Sequence, residues 1–102
     1  MPSATQEIFY RSATDLAAML KNKEISSFEL TKLFIERIEQ YDGAINAFCV
    51  RTFEQALADA AAADTAIANG MATGPLHGVP MSIKESYVMA NTPATWGLAA
   101  HR

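Results

Sequence analysis

Lys84 is the side chain in this sequence best placed to do chemistry. It ends the run Gly-Pro-Leu-His-Gly-Val-Pro-Met-Ser-Ile-Lys, residues 74–84. Glycine and proline bound a turn there, and the apolar residues that follow predict a short strand delivering the lysine. An ammonium cannot accept a proton, so a lysine that serves as a base must be held neutral. Burial does this by lowering the pKa several units from about 10.4. Val79, Met81 and Ile83 are the apolar neighbours that would supply it. Such a base activates a serine hydroxyl, which is a weak nucleophile until its proton is removed. Lys84 also has an ordinary reading, a strand-end lysine paired with Glu85 at the surface.

Ser82 would share a face with Lys84 on that strand, two residues away, in a Ser–Lys arrangement without an evident oxyanion hole. Ser86 is near in sequence but substitutes for neither partner. His77 and His101 have no second His, Cys or carboxylate at metal-ligand spacing, so His77 reads as a turn residue and no metal or other cofactor is expected. Gly70, Gly74 and Gly78 recur at every fourth position but lack the Gly-Lys-Ser ending of a phosphate loop, and read as turn glycines. Cys49 is the single cysteine, so no intramolecular disulfide can form, and its apolar run 45–50 reads as buried. Trp96 would line a pocket or pack over the core.

Three helices are expected to carry this segment. Ser12, with Asp15 three positions on, opens the first, over about 12–22, with Leu16, Met19 and Leu20 on one face and Asn22 as the exit. Ser26 and Glu29 form a capping box for the second, over about 26–42, with Leu30, Leu33, Phe34, Ile38 and Tyr41 along it and Asp42-Gly43 as its stop. Glu29, Lys32 and Glu36 lie within pairing reach on its polar side. Residues 45–50 read as a short strand or a connector. A second box, Thr52 with Gln55, opens an alanine-rich helix over about 52–69, with Phe53, Leu57, Ala60 and Ile67 available to pack inward. A turn and strand over about 74–85 follow.

Composition sets the outer bounds. A chain of 102 residues makes one small domain with a modest core. Half the residues are apolar and the net charge is −3, as in ordinary globular proteins. Eight Lys and Arg scattered among eleven Asp and Glu form no basic face, so no nucleic-acid partner is expected. No stretch approaches the roughly 20 apolar residues that span a bilayer. No secretory leader is evident at the N-terminus either, so no membrane partner and a cytoplasmic location are expected.

The run 74–84, with the helices before it, resembles the start of the catalytic core in the amidase signature family, over roughly residues 12–98. Members of that family hydrolyse carboxylic amides with two serines and a lysine. The resemblance aligns Lys84 with the catalytic lysine, general base and then acid, exchanging its proton through a bridging serine with the attacking one. Both serines lie downstream in the family, in a glycine- and serine-rich stretch that does not occur before Arg102. Family members continue after the lysine through a glycine and paired threonines, where this sequence has Asn91 and Ala94 in 91–97. The resemblance implies an α/β fold: N-terminal helices plus the first strand or strands of a mixed sheet, as a truncated fragment of an amidase domain. A small-molecule amide would be the substrate once the missing segment is supplied, and the chain alone would be inactive. The alternatives are a non-enzymatic interaction module, self-associating through the exposed sheet edge, and a helical remnant with no present role.

Overall fold

A computed structural model describes residues 7–45, 47–48, 50–71 and 73–83. Among them are three helices of nine residues or more: α1, Ala13–Lys21; α2, Ser27–Ile45; and α3, Phe53–Ala68. None is long and apolar enough to cross a membrane.

Helix α1 begins where its first amides find an acceptor. Ser12 lies in the extended region, and its Oγ accepts the Asp15 N–H at 3.1 Å. Asp15 in the first turn and Lys21 in the last match the helix dipole. Leu16, Ala17 and Leu20 are buried. At the exit, the Lys23 amide donates to Leu20 O at 3.1 Å and the Glu24 amide to Met19 O at 2.9 Å. This paired closure requires a left-handed residue between, and Lys23 takes it at φ 58°.

Helix α2 starts on two separate caps. The Ser26 Oγ accepts the Glu29 amide at 3.0 Å and donates to the Glu29 carboxylate at 3.2 Å. Asp64 of α3 reaches across to take the Ser27 amide at 2.6 Å and the Phe28 amide at 3.0 Å. One carboxylate thus sits on the positive end of α2 and ties it to α3.

The far end of α2 departs from the expected stop at Asp42-Gly43, for the helix runs on to Ile45. Glycine ends a helix by turning left-handed, and the positive-φ glycines among the described residues are Gly70 and Gly78. Asp42, 4% exposed, instead turns its carboxylate onto the chain beyond the helix. It accepts from Ala47 N at 2.7 Å, Phe48 N at 3.3 Å and the Arg51 guanidinium at 3.0 Å. Burial acts to raise its pKa, but these donors outweigh burial and hold the carboxyl below its ordinary value. Residues 47–48 have no regular secondary structure, while Asn46 and Cys49 lie outside the described residues. Lys32 makes no ion pair among the described residues, where the pairs are Arg11–Glu7 and Arg51–Asp42.

Helix α3 lacks the second capping box. Thr52, at φ −109° and ψ 46°, makes no side-chain cap bond. Its other end closes as α1 does, through Gly70 N to Ile67 O and Met71 N to Ala66 O, both 3.1 Å. Here glycine holds the left-handed position, at φ 67°.

The helices enclose a small core of Leu16, Leu20 and Leu30, with Ile8, Met19, Ile25, Phe34 and Val79 partly buried around it. Full burial of one such side chain is worth about 1.5–3 kcal/mol. Ala60 is the buried residue of α3. Phe9 stacks edge-on against Phe34 at 5.1 Å, and the Arg37 guanidinium lies 4.5 Å from the Phe9 ring centre.

The expected α/β class is corrected: the regular structure of the described residues is helical, and they hold no strand. A strand exists only by pairing with another, and residues 79–83 have no regular secondary structure. The groups leading into them are engaged elsewhere. Gly78 O accepts from a side chain of α2, Val79 N closes a local turn on Leu76 O, and Pro80 has no N–H to give. With no strand, the exposed sheet edge proposed for self-association is absent from the described residues.

Candidate active-site segment

Residues 74–83 are the described part of the segment leading to Lys84, and Lys84 itself lies outside the described residues. The turn closes locally through His77 N to Gly74 O at 3.2 Å and Val79 N to Leu76 O at 3.1 Å. Gly78 takes φ 82°, where a Cβ is strained on any L residue. A Cβ there would also stand 3.3 Å from Leu20 Cδ1 and from both Ser27 Cβ and Oγ. The backbone conformation therefore favours glycine at this position, and a Cβ there would also make Leu20 or Ser27 give by a few tenths of an ångström.

Three attachments hold the turn to the helices. Ser27, 1% exposed, donates its hydroxyl proton to Gly78 O at 2.6 Å. The Nε2 of His77 lies 3.0 Å from Ala63 O on α3. A carbonyl only accepts, so this nitrogen carries the proton, and the ring acts as a structural clamp. Val79 packs against the leucine core.

Beyond Pro80 the segment turns outward. Met81 is 67% exposed and Ile83 49%, and Ser82 is also exposed. Of the three apolar residues expected to desolvate the lysine, Val79 alone packs on the core, because the turn directs it there. Ser86, Glu85, Asn91, Ala94, Trp96 and His101 lie outside the described residues.

Two residues essential to this geometry were missed in the sequence. Ser27 follows the recognisable cap Ser26, and its bond spans 51 positions. Asp64 stands inside an alanine-rich helix, and its bond to Ser27 spans 37 positions. Asp64 is one of three carboxylates in α3, with Glu54 and Asp59, and nothing local names its partner.

Comparison with known proteins agrees with the segment's character. The amidase family model matches residues 29–102, well over half of the chain and including the whole of the turn. A glutamyl-tRNA(Gln) amidotransferase subunit of Moorella thermoacetica is 49% identical over 80 residues, covering 78% of this chain and 16% of the relative. The subunit of the same name from Thioalkalivibrio sulfidiphilus is 46% identical over 87 residues, 85% of this chain and 18% of the relative. That from Paenarthrobacter aurescens is 40% identical over 101 residues, 95% and 19%. The chain therefore spans less than a fifth of the length of these curated relatives. With the match running through the helices, the clamped turn and the residues after it, the chain belongs to the amidase family.

Proposed function

We propose that this chain is the segment of an amidase-family enzyme that supplies the catalytic lysine, Lys84, and that the complete enzyme cleaves a carboxylic amide. The observation that carries this reading is the family match through residues 29–102, which includes Lys84. In the proposed mechanism neutral Lys84 takes the proton of a bridging serine, which takes that of the attacking serine. The serine oxygen bonds to the amide carbon, the C–N bond breaks, and the proton returns to the departing nitrogen. An acyl-serine remains, which water hydrolyses. No cofactor enters these steps.

The relatives' names narrow the setting. We propose a soluble cytoplasmic enzyme working as one subunit of an amidotransferase, in which the released nitrogen is passed on rather than lost. With eight Lys and Arg against eleven Asp and Glu, any transfer-RNA contact is assigned to surfaces outside this chain. The chain by itself, lacking both serines, is assigned no turnover.

The test is amide hydrolysis by two proteins: the 102-residue chain, and a chimera in which it replaces the matching segment of the Moorella thermoacetica protein. The chain is expected to be silent and the chimera active. Lys84→Ala should lower kcat in the chimera by on the order of 10²–10⁴, the usual worth of a positioned acid–base group. An active Lys84→Ala chimera sinks the assignment.

A further inference from the structure

We propose that Arg37 is the latch of a strap, residues 7–11, which it holds closed over the leucine core and which opens as a unit while the three helices stay folded. The strap's own hydrogen bonds are internal. Tyr10 N donates to Glu7 O at 3.0 Å, Arg11 N to Ile8 O at 3.2 Å, and the Arg11 guanidinium pairs with the Glu7 carboxylate at 3.1 Å. Among the described residues, side chains alone attach it to the helices: Ile8 against Leu16, Leu20 and Leu30, Phe9 edge-on to Phe34, and the rings of Phe9 and Tyr10 against Arg37.

Arg37 is the point where these attachments meet. Phe34 and Tyr41 stand three positions before it and four after, on the same face of α2. Its guanidinium lies 4.5 Å from the Phe9 ring centre, 5.7 Å from that of Tyr10 and 5.2 Å from that of Tyr41, so two rings of the strap and one of the helix gather on a single cation. Arg37 makes no ion pair among the described residues. A flat guanidinium stacks on rings as a compact ammonium does not, which suits arginine to this position. Ile8 adjoins Phe9, so a cation outside the core keeps an apolar side chain on it.

The hold is light. Tyr10 is 75% exposed, Glu7 and Arg11 are exposed, and Ile8 and Phe9 are only partly buried. Segments open first where buried apolar contacts are few and backbone bonds face water. The helices keep the three buried leucines and the ties from Ser27 and Asp64 when the strap leaves, so its opening does not require theirs.

The test is limited chymotrypsin digestion of the 102-residue chain, read by mass spectrometry. Cleavage after Tyr10 reports the open strap, and cleavage after Phe34 or Tyr41 in the same digest reports unfolding of α2. At low protease each rate follows the population of the open form. Rates after Tyr10 are taken relative to a free peptide of residues 7–15 with the same sequence, which removes the protease's own preference. Arg37→Gln should speed cleavage after Tyr10 about 3- to 10-fold with cleavage in α2 unchanged, and Arg37→Lys should fall between Gln and the parent. Phe9→Leu should act in the same direction, and the double variant should fall short of the product of the two single effects, since both remove one shared contact. Arg51→Leu, which removes a different stacked arginine and its pair with Asp42, should leave cleavage after Tyr10 near the parent. Unchanged cleavage in Arg37→Gln overturns the proposal. So does an equal rise within α2 in both Arg37→Gln and Phe9→Leu, or an equal effect of Arg51→Leu, because the strap would then be released only by unfolding of the whole chain. A double variant that reaches the full product shows that Arg37 does not act through Phe9, and the latch fails.

Discussion

Lys23 and Gly70 occupy the same place in two equivalent helix exits, and they differ in how well the residue suits it. Both sit left-handed, at φ 58° and 67°, beneath the same pair of closing hydrogen bonds. A side chain in that region costs about 1–2 kcal/mol, partly offset by the greater freedom glycine loses on folding. Lys23→Gly is therefore expected to stabilise the chain by up to about 1 kcal/mol and Gly70→Ala to destabilise it by a similar amount, read from urea midpoints. Asp42 yields a prediction of a different kind. Its folded pKa lies below its unfolded one, so its contribution is complete above the ordinary carboxylate pKa and is lost as pH falls through the depressed value. Stability should drop on acidification below about pH 4, and Asp42→Asn should flatten that part of the curve.

At the scale of elements, local signals placed the caps and long-range contacts decided the rest. Ser12 with Asp15 and Ser26 with Glu29 were legible because donor and acceptor stand three residues apart. Thr52 carried the same pattern without the bond, since its backbone does not hold the hydroxyl over the amide three residues on. Gly43 looked like a stop, but the Asp42 carboxylate serves the following chain and the helix passes through. Asp64 is the strongest element-level prediction. Asp64→Ala frees two amides at the start of α2 and its tie to α3, and is expected to cost about 0.5–2 kcal/mol as a lost cap. Far-ultraviolet circular dichroism through a thermal transition measures this, and an unchanged midpoint would show that the contact contributes nothing.

For the whole molecule, three buried leucines and a few half-buried neighbours form the core, so each carries a large share of stability. Leu20, 1% exposed, also touches the position where a Cβ on Gly78 would stand. Leu20→Ala is expected to cost about 2–5 kcal/mol, a large share of the roughly 5–15 kcal/mol that holds a domain folded. Equilibrium denaturation showing a folded Leu20→Ala chain with a near-parental midpoint would place the stabilising core elsewhere. From the sequence alone came the family, through the glycine-proline run and the lysine it leads to, together with the caps whose partners lie within one helical turn. The tertiary structure decided that residues 79–83 form no strand, that Met81 and Ile83 face solvent, that Ser27 holds the turn to α2 and that Asp64 holds α2 to α3. The division follows sequence separation: a bond across three residues is written in local residue types, whereas bonds across 37 and 51 exist only once α2, α3 and the turn have packed.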